Sequence, residues 1–390
     1  MVNSQKEIAR LKDWELVVAS HINEISNNKK YNQLIFYSIS SVSSDYKIDP
    51  YTTPVRISGD KIIAGVIVGS QIEALITSNY IEDLVDYLLL DVEKKIPIQK
   101  IPNDDIFLAF NLKKSLYIAN SKTVSGVEFG NISSAVRKTF PTEKIINYKP
   151  NDLTVESIWF FLSHKYKNFA DIKVAIIGTG NIGFKLALKL VESGTFVNLN
   201  RRDHILGSQL ANTINSIKPR NTIAEAKFYA DPVRACTLCD VIIGTGKSNS
   251  LIVTETMVNV MMENGILIDC GKGNITEKAI NYAYNLGLNV YRGDVTSGII
   301  SFVEQADVIK NTLNNKTGRK LIKNNIFIIS GGVYGKLEDI VVDNYDYPNV
   351  VYGMADGRGQ ILINLTEAQS RKINYVLKHF DINQPSTRVL

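Results

Sequence analysis

Three glycines, Gly178, Gly180 and Gly183, follow the apolar run Val174 to Ile177 at a spacing that lets a backbone close on a pyrophosphate. Gly178 permits a tight strand-to-helix turn, Gly180 lets the main chain approach the phosphates, and Gly183 lets the helix pack on the strand. The start of that helix turns free N–H groups and a positive dipole end toward the same anion. Thr179, Asn181 and Ile182 belong to this turn and are read with the glycines as cofactor-binding. At the end of the next strand, Thr195 to Asn200, a NAD-binding unit carries an acid, about 20 residues on, that holds the ribose 2'-hydroxyl. Asn200-Arg201-Arg202 stands there instead. No carboxylate repels a 2'-phosphate, and a guanidinium can hold one through paired, charge-assisted bonds. Asn200, Arg201 and Arg202 are therefore read as the adenosine end of the site, and NADP(H) as the cofactor.

Such a cofactor carries hydride, so the protein must place a substrate carbon and move a proton. Four further segments read as strands ending in glycine-rich or polar loops: Asp240 to Gly244 with Thr245 and Gly246; Gly265 to Asp269 with Gly271 and Lys272; Leu288 to Arg292 with Asp294; and Ile326 to Ser330 with Gly331, Gly332 and Tyr334. In a doubly wound sheet these ends line one edge. Gly244, Thr245, Gly246, Asp269 and Gly271 are assigned to the cofactor, and Lys272, Asp294 and Tyr334 to proton transfer. The leading proton donor is Lys94, in the run Asp91-Val-Glu93-Lys94 where a buried strand beginning at Tyr87 turns polar. A lysine or tyrosine serves in this role when neighbouring charge tunes it. None of His21, His164, His204 and His379 lies in a motif.

The elements that must hold these residues divide as 1–150, an α/β substrate domain; 151–170, a linker helix; 171–345, a doubly wound parallel-sheet Rossmann domain; and 346–390, a strand and a helix that packs back. In the first part, Lys6 to about Ile25 repeats apolar residues at helical spacing, and Gln33 to Ser40, Lys61 to Val68, Ser115 to Ala119 and Lys144 to Tyr148 read as strands. Ser41 to Arg56, with Asp49-Pro50 and Thr53-Pro54, reads as loop. Lys149-Pro150 breaks the chain, and Asp152 or Thr154 caps the linker helix, which runs to about Lys167. The final helix is expected from about Gln360 to Phe380.

The chain's 390 residues, 45% hydrophobic and 21% charged, suffice for two or three domains with real cores. A net charge of +5 without a dense basic tract argues against nucleic acid as a partner. The polar start is no secretory signal, and no stretch has the uninterrupted apolar length of a membrane span, so a soluble, cytoplasmic protein is expected. Cys236, Cys239 and Cys270 are too few for a disulfide framework. The CxxC pair Cys236–Cys239 lacks the further ligands of a zinc site and reads as packing, so no metal is expected.

Thr195 to Arg202, with the helix containing Gln209-Leu210-Ala211, resembles the NADP half of shikimate dehydrogenases and glutamyl-tRNA reductases. Asp240 to Ile243, Gly265 to Asp269, Gly293-Asp294-Val295 and Gly331-Gly332-Val333 resemble, in order, methylenetetrahydrofolate dehydrogenase/cyclohydrolases. The resemblance covers roughly 174–335 and is at superfamily level. It implies a substrate domain before the Rossmann unit and a 2'-phosphate contact from Arg201, with Asn200 or Arg202. Residues 1–150 carry no lysine motif of the NVTxPxK type, the folate enzymes' Tyr-x-x-x-Lys is not at a matching place, and the prolines around their Gly-Gly-Val turn are missing. The substrate is therefore not carried over.

The reading is an NADP-dependent oxidoreductase acting on a small polar metabolite, at C–OH/C=O or C–N/C=N, in a cleft between two domains. Its default assembly is a homodimer. A non-redox or cyclohydrolase-like dinucleotide enzyme, and a non-catalytic NADP(H) sensor, are the alternatives.

Overall fold

The computed structural model describes residues 2–42, 48–93, 95–96, 104–112, 131–315, 317–323 and 325–383. The chain forms two compact units, 1–300 and 301–390. The strand expected at Ser115 to Ala119, and Lys94, lie outside the described residues.

The first unit holds two sheets. One has five strands, β1 (Leu34–Ser40), β2 (Tyr51–Ser58), β3 (Lys61–Ile67), β4 (Tyr87–Asp91) and β5 (Ile145–Tyr148), in the order β2-β3-β1-β4-β5. All neighbours are parallel except β2, which runs antiparallel to β3 at the edge. β1, β3 and β4 are apolar in runs because both faces are covered. Leu11, Trp14 and Val18 of the helix Val2–Asn28 and Leu75 and Ile76 of the helix Gln71–Ile81 join the same core as Tyr37, Ile39, Leu88 and Leu90. Within it the fully buried Glu73 accepts from Arg10 Nη1 at 2.6 Å and from the Gly69 N–H at 2.8 Å.

The second half of the expected loop Ser41 to Arg56 is strand β2. Pro54 is tolerated there because β2 is an edge strand whose register shifts between Thr53 and Arg56. The linker helix is Pro150–Lys165, with Lys149 at its N-cap and Pro150 in its first turn. Neither Asp152 nor Thr154 caps it; proline is pre-organised for that first turn and needs no N–H partner.

The second sheet has six strands, all parallel: β6 (Lys173–Ile177), β7 (Phe196–Asn200), β8 (Ala226–Phe228), β9 (Val241–Gly244), β10 (Ile266–Asp269) and β11 (Asn289–Arg292). Their order, β11-β10-β9-β6-β7-β8, reverses direction between β6 and β9. This is the doubly wound arrangement, and its switch point opens a crevice beyond the carboxyl ends of those two strands. Val174, Ile176, Leu199, Ile243 and Ile268 pack one face and Ala175, Ile177, Ile242 and Leu267 the other.

The second unit carries its own four-stranded sheet, β12 (Gly318–Lys323), β13 (Ile326–Ser330), β14 (Ile340–Val342) and β15 (Val351–Met354). β13, expected as a further strand of the doubly wound sheet, pairs here with β12 and β14. A buried apolar run ending in glycines reports its environment but not its neighbours, and the antiparallel partner β12 is too polar to stand out as a strand. The last helix is Glu367–His379, later than expected, because Thr366 and Gln369 form a capping box that fixes its start. It contributes Val376 to this unit's core, and Glu338 binds its Lys372 and Gln369. Among the described residues no helix is long and apolar enough to cross a membrane.

Candidate functional site

The crevice predicted by the strand order begins at the glycine turn. Gly178 has φ +90°, and a Cβ there would lie 2.8 Å from the Gly246 backbone nitrogen. At Gly183 a Cβ would sit 2.6 Å from Thr245 Oγ1 and 3.1 Å from Ile176 Cγ2. Both positions are filled by protein. Gly180 is different: a Cβ would meet only the Gly178 carbonyl oxygen at 3.8 Å, so the space above this residue is open. Gly180 is also the N-cap of the helix Asn181–Glu192 and provides no side-chain cap. The helix end, through Asn181, Ile182 and Gly183, thus faces an open space suited to an anion. Thr179 is buried and, with Gly178, is tied to β7, both N–H groups donating to the Asn200 carbonyl at 3.2 and 3.0 Å.

At the tip of β7 the three expected residues part ways. Arg201 is half-buried and folds back over the turn, its Nη1 donating to the Thr179 carbonyl at 2.6 Å. Its Nε is buried without a partner. Asn200 spends its side-chain N–H groups on the Tyr229 and Ala230 carbonyls at 2.9 and 3.2 Å, holding the chain after β8. Arg202 is exposed. The nearest acid, Asp203, caps the helix His204–Ile217 by accepting from the Leu206 N–H at 3.0 Å. His204 lies beside Phe228, ring centroids 5.8 Å apart, on the same side of the sheet edge.

On the other side of the crevice, Thr245 Oγ1 donates to the Gly178 carbonyl at 3.0 Å, and Gly246 packs on Gly178. Asp269 at the end of β10 accepts from the N–H groups of Gly271, Gly273 and Asn274 at 2.9, 2.7 and 3.2 Å. Its carboxylate therefore shapes the Gly271–Asn274 turn. Lys272 in that turn has φ +56° and points to the first sheet, its Nζ 2.7 Å from the Tyr51 hydroxyl and 5.0 Å from that ring's centroid. Asp294 accepts from the Thr296 N–H and Oγ1 at 2.9 and 2.7 Å, and these bonds hold its carboxyl below the usual range. Arg56 of β2 donates to the same Thr296 hydroxyl at 3.0 Å.

Tyr51 pairs with Ile67, so it stands at the carboxyl end of β3. The carboxyl edges of the two sheets consequently face each other. The first sheet brings a charged cluster to that edge. Lys95, its side chain only 6% exposed, lies 3.2 Å from Asp91 Oδ2 and 2.9 Å from Glu93 Oε2. Asp91 is fully buried and also accepts from the Ser41 N–H at 3.1 Å. Burial pushes its carboxyl above the usual range against the pull of Lys95. Glu93 accepts from both nitrogens of Asn151, at the start of the linker helix. On that helix Asp152 binds Lys149 at 3.0 Å and Lys185 of the glycine-turn helix.

Among the expected residues the structure thus gathers Gly178 to Gly183, Arg201, Thr245 and Gly246 at one turn. Lys272 and Asp294 are brought to the facing edge, each already bonded. Tyr334 follows β13 in the second unit and is 77% exposed, so it is not on the parallel sheet. Sequence reasoning passed over Lys95 and Asn274. Lys95 stands four positions after Asp91, beyond the strand's end, where alternation no longer tells which way a side chain turns. Asn274, completely buried, follows Gly271 and Gly273 and belongs to no motif.

Cys236 and Cys239 are buried, and burial raises both thiols, Cys239 to about 11, so they pack as neutral groups. Among the described residues no group of three His, Cys, Asp or Glu is arranged to hold a metal. A cavity of about 450 Å³ lies at the amino edge of the parallel sheet, lined by Lys173, Phe196, Lys227 and Asp240, away from the glycine turn.

Residues 173–273, from β6 through the turn after β10, match the family described as NADP oxidoreductase, coenzyme F420-dependent. The matched stretch holds five of the six strands of the doubly wound parallel sheet and is similar to that family. No curated protein matches the chain. Solved structures similar to it include L-tryptophan dehydrogenase from Nostoc punctiforme, at 10% identity over 68% of this chain and 72% of that one, with a TM-score of 0.35. Glutamyl-tRNA reductase from Methanopyrus kandleri matches at 14% identity over 41% and 39%, with a TM-score of 0.31. The NADPH-dependent glyoxylate/hydroxypyruvate reductase from Sinorhizobium meliloti matches at 15% identity over 41% and 81%, with a TM-score of 0.29.

Proposed function

We propose that the chain is an oxidoreductase that uses NADP(H) to transfer a hydride to or from a C–O or C–N carbon of a small polar metabolite, held between the carboxyl edges of the two sheets of residues 1–300. The observation that carries the cofactor choice is Arg201, folded onto the phosphate turn with a buried, unpartnered Nε, where no carboxylate stands. A 2'-phosphate accepts from a guanidinium at both nitrogens of its fork. The open space at Gly180 and the uncapped helix end fit the pyrophosphate.

A bound nicotinamide supplies the hydride chemistry, and the chain's residues supply the rest. The facing edges are tied by Lys272 to Tyr51 and by Arg56 to Thr296. Lys95 is the proton-holding group in this reading. It gives a proton to the substrate oxygen or nitrogen on reduction and takes one on oxidation. Asp91, 3.2 Å away and fully buried, fixes the Lys95 nitrogen from the inner side. Glu93, anchored by Asn151, keeps the ammonium in place.

The test is a fluorescence titration with NADPH and NADH, repeated with Arg201→Ala. A bond to a charged group contributes roughly 1.5–3 kcal/mol, so the native protein prefers NADPH by about tenfold to a hundredfold and the variant loses that margin. Equal affinity for both dinucleotides in the native protein refutes the choice of NADP(H). Lys95→Met should keep NADPH affinity and lose turnover in a substrate screen.

A further inference from the structure

Between β9 and the segment leading to the helix Glu255–Val258, the chain crosses the carboxyl edge of the parallel sheet as a short loop. Its ends are fixed: the Thr245 N–H donates to the Ile177 carbonyl at 2.8 Å, and the Val253 N–H to the Asn274 carbonyl at 2.8 Å. Between them two non-glycine residues, Asn249 and Leu251, adopt left-handed conformations with φ +57° and +45°. Asparagine visits that region readily, whereas for a leucine it costs about 1–2 kcal/mol, so other contacts must hold Leu251 there.

They converge on the next loop. The Asn249 N–H donates to the Lys272 carbonyl at 3.0 Å and the Leu251 N–H to the Gly273 carbonyl at 3.1 Å. Asn274 Nδ2 donates to the Lys247 carbonyl at 2.8 Å and to Ser250 Oγ at 2.9 Å. Asn274 is completely buried, and its Oδ1 has no partner. Turning the amide over does not cure this, because the oxygen would then face the Lys247 carbonyl. Around that oxygen lie Gly244, Gly246 and Gly271; a Cβ on these would stand 3.5, 3.4 and 2.1 Å from it. A buried acceptor without a donor costs about 1–3 kcal/mol, so few such groups persist in a folded protein. Left-handed strain and an orphaned acceptor thus meet at one clamp. The clamp rests on the phosphate turn, since Gly246 packs against Gly178.

We infer that Lys247–Leu251 is a flap over the crevice, latched by Asn274, and that opening it presents Asn274 Oδ1 as an acceptor to an N–H group of a ligand at this edge. A pyridine nucleotide carries such a group in its carboxamide, and this part of the inference rests on the function proposed above. Release of the latch relieves Leu251 and satisfies the oxygen, and those gains offset the loop's lost hydrogen bonds. Asn274 acts here as a positioning residue.

Amide hydrogen exchange on the full chain tests the flap, with and without saturating NADPH, in the native protein and in Asn274→Asp and Asn274→Ala. Without ligand, the Asn249 and Leu251 amides should be protected in the native protein and exchange about tenfold faster in both variants, as loss of two donated bonds requires. The aspartate variant keeps the volume if alanine impairs folding. Unchanged protection overturns the latch whether or not NADPH binds. With NADPH, Asn249 and Leu251 should lose protection in the native protein as the amides of Asn181 and Ile182 gain it. Protection at both places overturns the flap but leaves the cofactor assignment standing. No NADPH-induced change at Asn181 and Ile182 refutes the cofactor, and with it the carboxamide as the flap's ligand, while the comparison without ligand still decides the latch.

Discussion

Lys272, strained into the left-handed region in the turn after β10, donates from Nζ to the Tyr51 hydroxyl at 2.7 Å, across the crevice between two sheets of one unit. The turn that aims it is built by Asp269, which binds three backbone N–H groups. A carboxylate at the end of one strand thereby determines where a cation meets the other sheet.

This contact should tune substrate capture and leave cofactor binding alone. The pair is exposed, so its worth is about 0.2–1 kcal/mol, and Lys272→Ala should raise the substrate KM by about 1.4- to fivefold with the NADPH dissociation constant unchanged. Tyr51→Phe should do the same, and the double variant should be no worse than either single one, because each removes the same bond. Additive effects would show that the two residues act separately.

The three glycines of the turn should respond differently to one added methyl group. Gly183→Ala forces a Cβ against Thr245 Oγ1 and Ile176, and Gly178→Ala adds a positive φ to a clash with Gly246. Each should cost about 1–3 kcal/mol and lower the melting temperature by several degrees. Gly180→Ala meets open space and should change stability by less than about 0.5 kcal/mol. Its effect falls on the ligand: NADPH affinity should drop at least about tenfold, because the methyl group stands where the phosphates must approach. Thermal melts and titrations of the three variants check this, and equal loss of stability in all three would sink the distinction.

The same contrast explains what a sequence makes legible. Requirements met within a few residues can be read from it: Gly178 and Gly183 in a strand-turn-helix, and the strand that follows as β7. Partnership between distant segments cannot. β13 carries the same buried run and glycine ending as β10, yet its neighbours are β12 and β14. Pro54 disguised β2, whose place at the edge is what tolerates it. Beyond Asp91 the chain leaves the sheet, and only packing against Asp91 and Glu93 turns Lys95 inward. Asn274 was hidden for a related reason, since a buried polar side chain in a loop is recognised by what surrounds it.

Outside the crevice, His21 gives the first unit a pH dependence. It is 4% exposed on the long first helix, with Nδ1 3.0 Å from the Tyr37 hydroxyl. Burial lowers its pKa below 6.5, against the opposing pull of Glu24 and the Thr53 backbone. The folded state therefore binds the proton less readily than the unfolded chain. The stability contributed by neutral His21 is present above pH 6.5 and is lost as pH falls from there through the folded-state pKa. One differential proton gives a slope of at most about 1.4 kcal/mol per pH unit. Urea midpoints measured from pH 8 to pH 5 should fall in the native protein and stay flatter in His21→Gln, which retains a hydrogen-bonding group toward Tyr37 but does not titrate. Parallel profiles would assign the acid sensitivity to other groups and leave His21 as neutral packing between the helix and β1.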